Sequence, residues 1–256
     1  MSHPDSYPNG YGMSLVRFSQ AKRSSLERFD LSKKGSVDNA ILSLVEELNS
    51  QQHYFTTSSC SGRIIVVANS SERIIRKKGC DWLYVTHEEA SKPQLKDALV
   101  KEPHPYTASF KFEPMIMHVQ CSNIESAQKL MQTVIESGYR NSGLSIGNSG
   151  RIILAVRSTA GMEVPLIAEH KLIVTDEYLE YLVQIANEKM KENLQQISRL
   201  GLKLENLQDI KVKKASRKKK LAEKIVFAPK EVKPIVEKDE NFEELRTENL
   251  STLFGS

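Results

Sequence analysis

Three serine hydroxyls, a thiol, a glycine and a guanidinium crowd into Ser58-Ser59-Cys60-Ser61-Gly62-Arg63, between two β-rich runs. A turn of this composition frees backbone N–H groups around Gly62 and lets Arg63 pair in a two-pronged manner, so it suits an anionic group on a small ligand. A plain hydrogen-bonded turn with Arg63 in solvent uses the same residues. Cys60 is a nucleophile if His87 or His118 stands beside it as base, although a buried inert thiol needs no such partner. Further along, Ser149-Gly150-Arg151-Ile152-Ile153 repeats Ser61-Gly62-Arg63-Ile64-Ile65, again where an apolar strand begins. The repeat predicts two copies of one helix-hairpin unit with a site between them.

A second constellation is Gly138-Tyr139-Arg140-Asn141-Ser142-Gly143, joined by Arg157-Ser158-Thr159. Arg140 and Arg157 suit phosphate or carboxylate, Tyr139 can stack on a base and Asn141 can read a ring edge, with Ser142 and Ser158 beside them. A helix stop followed by a polar strand accounts for the same residues. His118 and Gln120 share one face of a strand and Cys121 takes the other. Asp30, Lys33, Lys34, Gly35 and Asp38 read as an ordinary helix entry.

The elements that must position these residues follow from periodicity and turn chemistry. Val37, Ile41, Leu44, Val45 and Leu48 predict a helix capped by Ser36 and ending near Asn49-Ser50. Tyr54–Thr57 and Arg63–Val67 read as the two arms of a hairpin, Trp82–Thr86 as another strand, and Lys92–Val100 as a short helix. Thr107–Phe112 and Met115–Cys121 read as two strands parted by Pro114. Ser122 and Glu125 stand at capping-box spacing for a second strong helix that stops at Gly138. Tyr139–Ile146 and Arg151–Val156 form the second hairpin, Leu172–Val174 a short strand, and Thr175 with Asp176 and Glu177 opens a long helix to about Leu202. The expected fold is α+β with a mixed, mainly antiparallel sheet. A doubly wound nucleotide-binding fold is disfavoured, because no Gly-x-Gly-x-x-Gly lies between a strand and a helix.

The chain of 256 residues, 39% hydrophobic and 27% charged, has the composition of a globular protein. Its net charge of +4 is unevenly placed. Eight Lys/Arg lie between Lys211 and Lys224, and seven acids follow between Glu231 and Glu248. The expected organisation is therefore a flexible leader over 1–23, a folded domain over 24–202, and a disordered basic-then-acidic tail over 203–256. No run reaches the roughly 20 apolar residues of a membrane span, so no membrane partner is expected. Cys60, Cys80 and Cys121 are three in number, with no CxxC pair. That argues against a disulfide framework and a structural metal, and for a reducing, cytoplasmic setting.

Taken together these blocks resemble the wybutosine-synthesising protein 3 family, the methyltransferases of tRNA wybutosine biosynthesis. The resemblance rests on Asp30–Asp38, Phe55–Arg63, Trp82–His87, Phe112-Glu113-Pro114, His118–Cys121, Gly138–Gly143 and Leu154–Thr159, and covers roughly residues 26 to 200. It implies S-adenosylmethionine as methyl donor, and a ring nitrogen of the tricyclic wybutosine precursor, next to the anticodon of phenylalanine tRNA, as acceptor. On that reading Ser58, Ser59, Cys60, Ser61, Gly62 and Arg63 hold the donor. Tyr139, Arg140, Asn141, Ser142, Arg157 and Ser158 face the anticodon loop, and His118 or His87 accepts a proton. A non-catalytic tRNA-binding module and a hydrolase centred on Cys60 are the competing readings.

Overall fold

Apolar residues recur at strand spacing from Tyr54 to Asn69 and from Thr107 to Cys121, and each stretch forms one unbroken strand, β1 (Tyr54–Asn69) and β3 (Thr107–Cys121). The computed structural model describes residues 13–27, 36–69, 81–100 and 103–225, with side chains as far as Glu205. The chain divides into two units, 1–212 and 213–256. The first contains a sheet in the order β2-β1-β3-β5-β4, formed with β2 (Asp81–Thr86), β4 (Gly143–Ile146) and β5 (Ile152–Arg157). A branch carries β6 (Met162–Ala168), which pairs with β3, and β7 (Lys171–Leu172). Every pairing among the described strands is antiparallel. With the helices, this is the α+β class.

β3 changes partner along its length: it pairs with β6 as far as Phe112 and with β5 from Ile116. Pro114 lies in the gap between the two partners. Proline has no N–H to give a ladder, and here no strand on that side asks for one, so the strand runs on where a break was expected. The buried side of β3 changes over at the same place. Ala108, Phe110 and Phe112 are buried before it, and Met115, Met117, Val119 and Cys121 after it.

Two hydrophobic cores result. One joins Phe110, Phe112, Ile64 and Val66 to α3 (Lys92–Leu99) and to Leu179, Leu182 and Met190 of the long helix α5 (Asp176–Ile225). The other joins Met115, Met117 and Val119 to α2 (Leu42–Ser50), α4 (Ile124–Glu136) and Ile197, Leu200 and Leu204 of α5. One helix thus serves both cores, and the strand segment Ser58–Arg63 lies beside their seam.

Local rules explain most boundaries. Asn123 caps α4 by accepting from Ser126 N–H, one residue later than the expected cap, and Gly138 at φ +103° follows its end. Thr175 accepts from Tyr178 N–H at the start of α5. The first core helix begins later than its periodicity suggested, because Asn39–Ile41 is a 3-10 turn and Asp38 spends its carboxylate elsewhere.

Three expectations are corrected. The leader expected over 1–23 contains most of α1 (Leu15–Leu26), capped by Ser14 and held by Phe18, whose ring lies 5.3 Å from that of Phe55. The disordered tail expected from 203 begins in helix, because Leu204 is fully buried and α5 continues to Ile225; residues 226–256 lie outside the described ones. The paired hairpin corners are not equivalent either. Ser149-Gly150-Arg151 ends the β4–β5 connection, whereas Ser61-Gly62-Arg63 lies inside β1, so the duplicated unit does not form as a pair of hairpins.

Gly62 has φ +103°, and a Cβ there would stand 2.9 Å from Asn193 Nδ2, 3.0 Å from Glu113 O and 3.1 Å from Met115 N. Two of these neighbours are backbone and cannot swing away. Gly62→Ala should therefore lose roughly 2–5 kcal/mol, from backbone strain and overpacking together. Urea unfolding checks it, and a midpoint equal to wild type would refute this account of the strand.

Candidate active site

The ladder between β1 and β3 opens at one point. Cys60 pairs with Ile116 and Gly62 with Pro114, but Ser61 and Met115 between them bond to side chains instead. Ser61 N–H donates to Asp38 Oδ2 at 2.8 Å. Asn193 Nδ2 donates to Ser61 O at 2.7 Å, and Met115 N–H donates to Asn193 Oδ1 at 2.8 Å. These groups are buried, so each needs the partner it has.

His87, just past β2, completes this corner. Its Nδ1 lies 2.9 Å from Gly62 O, 3.5 Å from Asp38 Oδ2 and 4.0 Å from Cys60 Sγ. A carbonyl oxygen only accepts, so Nδ1 carries a hydrogen toward Gly62 O. Asp38, Ser61, His87, Glu88 and Glu89 line a cleft of about 320 Å³ whose apolar wall includes Met190. Its charge is the reverse of that expected for an anion site: Asp38, Glu88 and Glu89 outnumber Lys191 and favour a cation.

On the neighbouring sheet face, Ser58 and Cys60 stand across from His118 and Ile116, and Ile116 stands across from Arg157. Thr57 is the extra residue of a bulge, since Thr56 pairs with Val119 and Ser58 with His118. Ser58 Oγ meets His118 Nδ1 at 3.0 Å, and Thr57 Oγ1 donates to His118 O. Burial first, and the Arg157 charge second, hold His118 below the usual histidine range. A neutral imidazole at pH 7 is ready to accept a proton.

The remaining predicted residues scatter. Ser59 pairs with Met117, one position out of step with Ser58, so it takes the opposite face. Arg63 Nε donates to Glu113 Oε2 at 2.7 Å while its guanidinium lies 4.7 Å from the Trp82 ring, so its charge is already matched within the fold. Tyr139 is fully buried, which removes it as a stacking platform for a base; a tyrosine after a helix stop filled the core. Arg140 and Asn141 are exposed in the following turn. Ser142 Oγ accepts from Arg157 N–H at 3.0 Å, and Ser158 Oγ reaches Gln196 at 3.4 Å. Sequence reasoning missed Asp38 and Asn193 as site residues. Asp38 had the plain interpretation of a helix entry, and Asn193 is one amide among many polar positions on a long helix.

Asp38, Cys60 and His87 also bring three ligand-type atoms within 4.8 Å of one another. In the structure two of them are occupied, since Asp38 holds Ser61 N–H and His87 Nδ1–H holds Gly62 O.

A family model described as Methyltransferase TYW3 matches residues 20–206, which include both cores and all of this site. The chain belongs to the TYW3 methyltransferase family. The tRNA wybutosine-synthesizing protein 3 homolog of Danio rerio is 48% identical over 185 residues, 72% of this chain and 73% of that protein. Its Homo sapiens counterpart is 44% identical over 185 residues, 72% and 71% of the two chains. Among solved structures, the PH1069 protein from Pyrococcus horikoshii has a TM-score of 0.67 at 32% identity, over 74% of this chain and 97% of that one. TYW3 membership makes the chain an enzyme of methyl transfer, against both the non-catalytic module and the Cys60 hydrolase. No described helix is long and apolar enough to cross a membrane.

Cys60 agrees with that outcome. Burial pushes its thiol above the ordinary range, the opposite of an activated nucleophile. Alkylation of Cys60, followed by peptide mass analysis across pH, should show a midpoint above that of a free cysteine. A midpoint below about 7.5, in the activated range, would contradict the site as described.

Proposed function

We propose that this TYW3 family member is a tRNA methyltransferase of wybutosine biosynthesis. It takes S-adenosylmethionine as donor and methylates a ring nitrogen of the tricyclic precursor next to the anticodon of phenylalanine tRNA. The observation that carries the proposal is the position of Cys60: its Sγ lies 4.0 Å from Nδ1 of His87, which lines the carboxylate-bearing cleft, and it pairs with Ile116 on the strand that carries His118 beside Arg157.

The donor is cationic at its sulfonium and amine, and the cleft offers Asp38, Glu88 and Glu89 together with the apolar Met190. Its size falls within the range of small-ligand pockets. The residues therefore fit the group. Bound there, S-adenosylmethionine supplies a methyl group already activated for attack by a nitrogen. What the protein must add is alignment and a dry approach. Ser61 lines the cleft with its N–H held by Asp38, and the Gly62 carbonyl behind it is held by His87, with Cys60 next in the strand. On the acceptor side Arg157 suits a phosphate of the anticodon loop, and His118 takes a nitrogen-bound proton. Ser142 contributes by holding Arg157 N–H. Arg63 is taken up by Glu113 and Trp82, and Tyr139 is buried, so neither is given a part in the transfer.

The direct test is incubation with labelled S-adenosylmethionine and phenylalanine tRNA from cells lacking this protein, followed by nucleoside mass analysis. A gain of one methyl on the precursor base is expected. Unmodified base under conditions where the tRNA binds would overturn the proposal. A second measurement addresses the base. Wild-type kcat/KM should fall on the acid side with a midpoint below about 6.5, the ordinary histidine value. Arg157→Ala removes a positive charge that opposes protonation of His118, so its acid limb should move to higher pH. An unmoved limb would remove His118 from this role.

A further inference from the structure

We infer that Asn193 is a positioning residue for methyl transfer, the side chain that keeps the Cys60–Gly62 segment in its working shape. This rests on the function proposed above. Three observations converge on it. Asn193 is only 2% exposed, yet it sits on α5 between Met190, which belongs to one core, and Ile197, which belongs to the other. Its amide uses both ends, donating to Ser61 O and accepting from Met115 N–H, and so it replaces the rung that β1 and β3 do not make with each other. Gly62 leaves room for that amide, since a Cβ there would come within 2.9 Å of its nitrogen.

The chemistry depends on the peptide groups this amide fixes. Ser61 N–H holds the Asp38 carboxylate, and Gly62 O holds His87 Nδ1–H. With Asn193 in place, Ser61 presents its N–H toward Asp38 and its carbonyl toward α5. Without it, two buried backbone groups lose their partners, and the least costly response is for β1 to slide toward a regular ladder with Met115. That movement rotates Ser61 and carries Asp38, His87 and Cys60 out of register with the acceptor face. Displacements near 1 Å reduce turnover by roughly 100-fold.

The test compares Asn193→Ala and the milder Asn193→Ser with Leu200→Ala, which empties a buried α5 position that makes no hydrogen bond to either strand. Turnover per folded protein is measured below the melting point of every variant, together with the rate at which a thiol reagent labels Cys60. Asn193→Ala should lower kcat by roughly 100-fold and speed Cys60 labelling several-fold, with Asn193→Ser intermediate. Leu200→Ala should lose comparable stability with kcat and labelling near wild type. Equal kcat and labelling in Asn193→Ala and Leu200→Ala would overturn the inference. Should Asn193→Ala not fold, wild-type values in Asn193→Ser would overturn it as well. Were wild type inactive on tRNA, the function proposed above would fail by itself, and the labelling rates alone would decide the role of Asn193.

Discussion

Ser61 does not complete the ladder between β1 and β3, and its two peptide groups are met by side chains from other parts of the chain. A buried amide or carbonyl left without a partner costs about 1–3 kcal/mol, so this opening is stable only because Asp38 and Asn193 reach it. The constraint works in both directions. Asp38 arrives from the segment before α2 and Asn193 from the middle of α5, and both are tied to the strand they support. The candidate site therefore brings together segments far apart in the chain: Asp38, Cys60–Gly62, His87, Met115 and Asn193.

Electrostatics divide the site into two halves. The cleft beside Asp38 and His87 is bordered by carboxylates, partly offset by Lys191 against Glu89 at 3.5 Å. The sheet face beyond Cys60 carries Arg157 and a histidine held below its usual range. Under the proposed function, a donor that arrives as a cation and an acceptor embedded in a polyanion would be drawn to opposite sides of one strand. The guanidinium of Arg63 is engaged by Glu113 and by the Trp82 ring.

Much of this was legible in the residues. Apolar periodicity located α2, α4 and α5, and β-branched and aromatic runs located β2 and β5. The segment 58–63 stood out in the sequence because its residue types are unnecessary to any ordinary strand. Its shape was not. Serine and glycine are turn formers by local chemistry, and only pairing with β3 overrides that preference and holds the segment extended. Pro114 misled for a similar reason, because its tolerance depends on two partner strands parting at that residue. Pro165 and the nearby Gly161 hid β6 altogether. Tyr139 was misassigned because its burial comes from packing among α4, β5 and α5, which no local pattern encodes.

The fork in the sheet carries a further consequence. β5 and β6 both pair with β3 but not with each other, and each belongs to a different core. The two arms are linked through β1, β3 and α5, so either arm can open without first breaking the hydrogen bonds of the other. Amide protons of β6 and β7 should then exchange with solvent on a schedule independent of those in β4 and β5, while β1 and β3 exchange last. A load placed on the β5 arm can flex it without disturbing the core shared by β6 and α3.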